Sequence, residues 1–177
     1  DPAGNTISYA YGNALNAQQI TKVTYGDQSS KTYLRDETAY STGTTPGVNR
    51  LTGILDEVNV RYATFGYLNG AAVSTEHAAG VDKYSINDSR STSSGAGTMV
   101  VTYPSGASYT STYASVNGFS KETANTQPAG SGCSAATSAR TYDANGNTAS
   151  VVDLDGHLTC YANDLTTNFE KVRVEGL

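Results

Sequence analysis

Tyr142-Asp143-Ala144-Asn145-Gly146-Asn147-Thr148-Ala149-Ser150-Val151-Val152-Asp153-Leu154-Asp155-Gly156-His157-Leu158-Thr159-Cys160-Tyr161 holds two copies of Asp-x-x-Gly, each leading into a short segment with strand character. An Asp carboxylate caps the backbone N–H groups of a tight turn, and Gly takes the left-handed conformation that a Cβ resists. After the second turn, Leu158, Cys160 and Ala162 fall on one face and Thr159 and Tyr161 on the other, the period of a β-strand. A third copy stands at the start of the chain. Asp1, Gly4, Asn5, Thr6 and Ser8 match Asp143, Gly146, Asn147, Thr148 and Ser150, and Gly4 is followed by Tyr9-Ala10 as Gly156 is by Tyr161-Ala162. Units that cannot bury a face alone stack on copies of themselves.

The same grammar extends outward. Ile7, Tyr9 and Tyr11 alternate, as do Met99, Val101 and Tyr103, and Tyr109, Ser111 and Tyr113. Gly12-Asn13, Asn69-Gly70 and Asn117-Gly118 punctuate them; Asn-Gly is the strongest short hairpin signal, since both residues accept the positive φ of a type I′ turn. No apolar stripe of helical period exceeds two turns. The reading is all-β: stacked antiparallel β-hairpin repeats over residues 1–177, forming part of a curved shell or strip, with the best-defined repeat at 142–164 and loop-like connections at 41–49 and 124–139.

Composition agrees. The chain has 13 Tyr, 3 Phe, no Trp and 18 Gly, a profile of strands and turns. A net charge of −5 without any Lys/Arg cluster argues against nucleic acid, whose affinity is supplied by clustered cations on phosphates. The apolar runs are far shorter than the roughly 18 residues of a membrane span, and Asp1-Pro2-Ala3-Gly4 is no signal peptide.

Tyr142-Asp143-Ala144-Asn145-Gly146-Asn147, then Asp153-x-x-Gly156 and Tyr161-Ala162-Asn163-Asp164, resembles the tyrosine-aspartate repeat of bacterial Rhs and wall-associated proteins. Arg50-Leu51-Thr52-Gly53-Ile54 through Asp56, Arg61-Tyr62, Phe65-Gly66-Tyr67, Glu76-His77-Ala78 and the terminal 172–177 segment resemble further units. Asn163 stands where the pattern favours Tyr, and Leu68-Asn69 replace an Asp-containing turn. The resemblance implies a non-catalytic β-shell segment of a secreted or surface-displayed bacterial protein that encloses or displays a toxin or other cargo. Its partners would be the rest of a longer chain, copies of itself paired through sheet edges, or the enclosed cargo. Its working residues would be the turn residues Asp1, Gly4, Asn5, Asp143, Gly146, Asn147, Asp153 and Gly156 and the strand aromatics Tyr9, Tyr11, Tyr62, Tyr67, Tyr142 and Tyr161. A surface adhesin or carbohydrate-binding module, with exposed Tyr rings stacked on sugars, is the alternative; a β filament assembled through strand edges is the other.

Chemistry has few footholds. His77 and His157 are the only imidazoles, and no Gly-x-Ser-x-Gly elbow accompanies them. Asp143-x-Asn145-Gly146 and Asp153-x-Asp155-Gly156 each offer half a calcium loop without the later bidentate Glu, so turn capping is the reading. The pairs Asp36-Glu37 and Asp56-Glu57 are adjacent and point to opposite faces of a strand, a poor arrangement for shared acid–base work. No catalytic residue, cofactor or metal site is assigned. Cys133 and Cys160 flank the best repeat and are either a disulfide or two separate thiols.

Overall fold

The computed structural model describes residues 4–12, 17–44 and 48–176. Asp1 and Asn13, two of the expected turn residues, lie outside them. The chain is all-β and divides into two compact units, Asp1–Ser85 and Ile86–Leu177.

The first unit contains β1 (Ser8–Tyr11), β2 (Ile20–Thr24), β3 (Ser30–Arg35), β4 (Ser41–Thr42), β5 (Leu51–Leu55), β6 (Arg61–Leu68) and β7 (Ala71–His77). A single 3-10 turn at Ala78–Gly80 leads into β8 (Val81–Asp88), which carries the chain into the second unit. Strands β1, β2, β3, β5, β6 and β7 pair antiparallel in that order, and β4 pairs in parallel, with Ser41 and Thr42 opposite Tyr67 and Leu68 of β6. The second unit runs β9 (Gly97–Thr102), β10 (Ser108–Val116), β11 (Phe119–Gln127), β12 (Ala136–Tyr142), β13 (Thr148–Val152), β14 (Leu158–Asn163) and β15 (Glu170–Val174), each antiparallel to the next.

Five hairpins share one loop. In Tyr25–Ser29, Asp56–Val60, Tyr103–Ala107, Asp143–Asn147 and Asp153–His157, the N–H of the first residue donates to the carbonyl of the fifth, and the N–H of the fourth donates back to the carbonyl of the first. The fourth residue is left-handed every time: Gln28 (φ 71°), Asn59 (63°), Gly106 (85°), Gly146 (84°) and Gly156 (89°). This is the type I turn closed by a left-handed bulge residue, a common three-residue hairpin. The two-residue turns Asn69-Gly70 (49°, 82°) and Asn117-Gly118 (52°, 80°) have the paired positive φ of type I′.

Both expected long loops are shorter than the sequence suggested. The connection at 124–139 is strand at both ends, since Ala124 to Gln127 pair with Ala139 to Ala136, leaving 128–135 between β11 and β12. These polar and small residues carry no hydrophobic alternation, and none of them is buried: Ala124 to Gln127, Ala136 and Ser138 are half-buried and Thr137 and Ala139 exposed. The 41–49 stretch begins as β4, and residues 45–47 lie outside those described.

Apolar burial is thin. Among the described residues only Val23 and Ala63 are buried hydrophobics, while Ser41, Thr52, Thr64 and Ser111 are buried polar residues. A chain of this length ordinarily removes about two-thirds of its surface from water and stands on that burial. Here paired backbone, capped turns and side-chain clasps carry a larger share.

Candidate functional site

The strongest local construction is a clasp that occurs, among the described residues, once in each unit. In the first, the β5–β6 ladder ends at the pair Gly53–Thr64; in the second, the β11–β12 ladder ends at Ala124–Ala139. Three residues past Thr64, the phenol of Tyr67 donates to the carbonyl of Leu51 at 3.1 Å, with the Arg50 guanidinium 5.2 Å over its ring. Three residues past Ala139, the phenol of Tyr142 donates to the carbonyl of Glu122 at 2.5 Å, with the Lys121 ammonium 5.1 Å over its ring. Each acceptor lies two residues before the last ladder residue of its strand, and each cation three before. Each Tyr also sits at a register shift to the following strand, between Gly66 and Tyr67 and between Thr141 and Tyr142. The tyrosine thereby replaces ladder bonds where two strands part, keeping a carbonyl satisfied.

Tyrosines are held by cations elsewhere as well. Arg61 lies 4.6 Å over Tyr40, Arg90 4.6 Å over Tyr113 and Arg173 5.3 Å over Tyr161. Five such pairs among the described residues is about twice the usual frequency of one per 70–80 residues, so these rings serve packing. Tyr62 stacks on His77 at 5.2 Å and is half exposed, and Tyr9 and Tyr11 are exposed on β1.

The repeat turns are capped as Asp-x-x-Gly demands. Asp143 Oδ1 accepts the N–H groups of Asn145 and Asn147 at 2.9 Å each, and its Oδ2 accepts the amides of Asn147 and Asn163 at 3.2 and 3.1 Å. Asn163, where the resembled pattern has Tyr, also donates to the carbonyl of Thr148 at 2.9 Å. Partial desolvation pushes the Asp143 carboxyl up, but these donors outweigh it and its pKa is lowered. Asp153 Oδ1 accepts the N–H groups of Asp155 and His157, and the His157 bond does most to lower its pKa. Gly4 is left-handed at φ 77°, and Asn5 packs against Gly26 closely enough to leave a Cβ there only 3.0 Å.

Candidate chemical groups are in structural use. Asp36 accepts the N–H groups of Asn49 and Arg50 at 2.9 and 2.8 Å. Glu37 accepts the Thr52 hydroxyl at 2.8 Å and pairs with the Arg61 guanidinium. Asp56 caps its own turn, and Glu57 pairs with Lys31 at 3.3 Å. Asp153, Asp155 and His157 bring ligand atoms within 4.8 Å of one another, all exposed, but the Asp153 oxygens already serve the turn and face the imidazole at 3.3 Å.

Both thiols are free, Cys133 exposed and Cys160 half-buried. The disulfide alternative fails on register. Cys160 is level with Ser150, which is level with Thr141 at the far end of β12 from Cys133. The two strand spacings from β14 to β12 alone add roughly 10 Å, beyond the ~7 Å between Cα atoms that a bridge allows.

Sequence reasoning missed the clasp roles of Arg50 and Lys121 and the Glu37–Arg61 pair; the shared pattern Arg50-x-Thr52 and Lys121-x-Thr123 is the one trace of the clasps in the sequence, and the Glu37–Arg61 pair has none. No family of known proteins matches the chain, and no curated protein matches it in sequence.

Proposed function

We propose that this chain is a structural β-sheet segment of tyrosine-aspartate-repeat type that encloses or displays another component and carries out no chemistry of its own. The observation that carries the reading is the pair of tyrosine clasps at identical ladder offsets, in units with scarcely any apolar core. Such a construction repeats along a chain with no central core to outgrow, which suits a scaffold extended by further units. Rings covered by cations, and carboxylates committed to turns, weigh toward scaffold and against saccharide platform or acid–base site.

The test is to fuse a small protease-sensitive reporter to the chain together with the flanking sequence of its native protein, and to compare digestion with the free reporter. Protection of the reporter in the fusion is expected. Equal digestion rates, or hydrolase activity of the purified chain that survives repurification, would overturn the reading.

A further inference from the structure

In the second unit nearly every charged side chain has a partner. Arg90 pairs with Asp88, Lys171 with Asp164, and Arg173 with Glu170 and Glu175. Lys121 donates to the Gly146 carbonyl at 2.7 Å, and Asp143 and Asp153 cap their turns. Among the described residues of that unit, three charged side chains have neither an ion pair nor a hydrogen bond: Glu122, Arg140 and Asp155. All three line one cavity of about 390 Å³. They reach it from different elements, Glu122 on β11, Arg140 on β12 and Asp155 in the turn between β13 and β14. The two carboxylates share a cavity with Arg140 and yet do not pair with it, so opposite charges stand apart around open space. Val151 and Leu154 add apolar surface to the same walls. A second opening of about 370 Å³ beside Arg140 adds no free charge, because Glu170 there pairs with Arg173. Unpaired charges scattered over a surface are served by water and need no ligand. Here they are gathered at one concavity while the rest of the unit's charges are paired, which is the pattern of a binding site.

We propose that this cavity binds a free basic α-amino acid such as lysine. The charge count selects the class: two carboxylates and one guanidinium are matched by a molecule with two cationic groups and one carboxylate. The ligand's carboxylate meets Arg140, whose planar fork can donate two parallel hydrogen bonds to it. Its α-ammonium and side-chain cation meet Glu122 and Asp155, and its aliphatic stem lies along Val151 and Leu154. The volume falls at the low end of small-ligand sites, roughly 300–1,000 Å³, which suits one amino acid better than a chain segment. The site stands on these walls alone, so its failure would leave the scaffold reading and the reporter test of it untouched.

The probe is L-lysine, titrated to millimolar concentration into the isotope-labelled full chain at constant ionic strength while amide resonances are followed by NMR. Norleucine, which lacks the side-chain ammonium, and cadaverine, which lacks the carboxylate, are titrated alongside. Saturable shifts confined to β11, β12 and the turn at 153–157 are expected with lysine. Each analogue should bind about tenfold more weakly, the size of one charge-assisted hydrogen bond. Arg140→Gln should weaken lysine about tenfold and leave cadaverine unchanged, whereas Asp155→Asn should weaken both. Both positions are exposed, and a dispersed spectrum reports that each variant is folded. No saturable shifts with lysine, equal binding of the three compounds, or lysine affinity unchanged in Arg140→Gln would each overturn the proposal. Lysine capped at both its amino and carboxyl ends that binds as tightly as the free amino acid would overturn it too, since the ligand would then be a side chain of a polypeptide.

Discussion

The phenol of Tyr142 reaches across to the main-chain carbonyl of Glu122, closing two strands whose ladder has already ended at Ala124 and Ala139. Tyr67 does the same for Leu51. A side chain that satisfies a backbone carbonyl at the point where strands diverge holds an edge that would otherwise fray, because an unpaired main-chain group away from water is costly.

Removing either hydroxyl tests this. Tyr67→Phe and Tyr142→Phe keep the ring and its cation and should each lower unfolding free energy by about 1 kcal/mol. Denaturant titration reads the loss. Amide exchange of Lys121–Thr123 should accelerate in Tyr142→Phe, and exchange there at the native rate would remove the clasp from the account.

The Glu37–Arg61 pair with Thr52 anchors a strap, residues Glu37 to Thr42 paired beside β6, next to the only fully buried side chain among the described residues. Glu37→Gln removes the charge and leaves a half-buried guanidinium without its counter-ion, so a loss of about 1–3 kcal/mol is expected. Gly53→Ala should act on the same spot, since an added Cβ would meet the Arg61 guanidinium at 2.1 Å. If the two effects add fully in the double variant, the sites are independent and the strap is not one unit.

Gly146 has φ 84° and its added Cβ would meet nothing closer than 3.5 Å, so the barrier to substitution is conformational rather than steric. Gly146→Val is expected to cost about 1–2 kcal/mol or more, because a β-branched residue is an outlier in the left-handed region. Gly146→Asn should be tolerated, as Asn59 already fills the equivalent position. Equal midpoints for the two variants in denaturant would show that handedness does not limit this turn.

The all-β fold was legible because Asp-x-x-Gly and Asn-Gly impose geometry through a single residue, and Gly146, Gly156, Asn69 and Asn117 all take the handedness their chemistry favours. The clasps were not legible as a repeat. Tyr67 and Tyr142 stand at different chain distances from Arg50 and Lys121, because a five-residue turn joins β5 to β6 and the longer segment 128–135 joins β11 to β12. Register, which equates them, depends on ladder pairing and is invisible in spacing. The strap was hidden for a related reason, since β4 owes its two strand residues to parallel pairing with β6 and not to any alternation of its own.

Free thiols follow from the same register. Cys133 is exposed and Cys160 half-buried. Under denaturing, non-reducing conditions two thiols per chain should react, and in the folded protein Cys133 should react before Cys160. An intact mass two hydrogens short of the reduced chain would mean that the strands rearrange to join them.

Acid should loosen the turns in a defined window. The carboxyls of Asp27, Asp88, Asp143, Asp153 and Asp164 all sit below their ordinary value. For Asp88, the Arg90 guanidinium and then its N–H hold the pKa at about 2; for Asp164 the Lys171 ammonium leads, and for Asp27 the Ser29 hydroxyl. A carboxylate more acidic in the folded than in the unfolded chain binds fewer protons when folded, so it stabilises the fold above the unfolded value, about 3.9. That contribution is lost as pH falls through the folded value, which places the loss between about 4 and about 2 for Asp88. Thermal midpoints should therefore be level above pH 5 and fall steadily below 4. Asp88→Asn should flatten part of the slope while lowering the midpoint at neutral pH. A midpoint in the wild-type chain that holds constant down to pH 2 would show that these turns are not held by ionised caps.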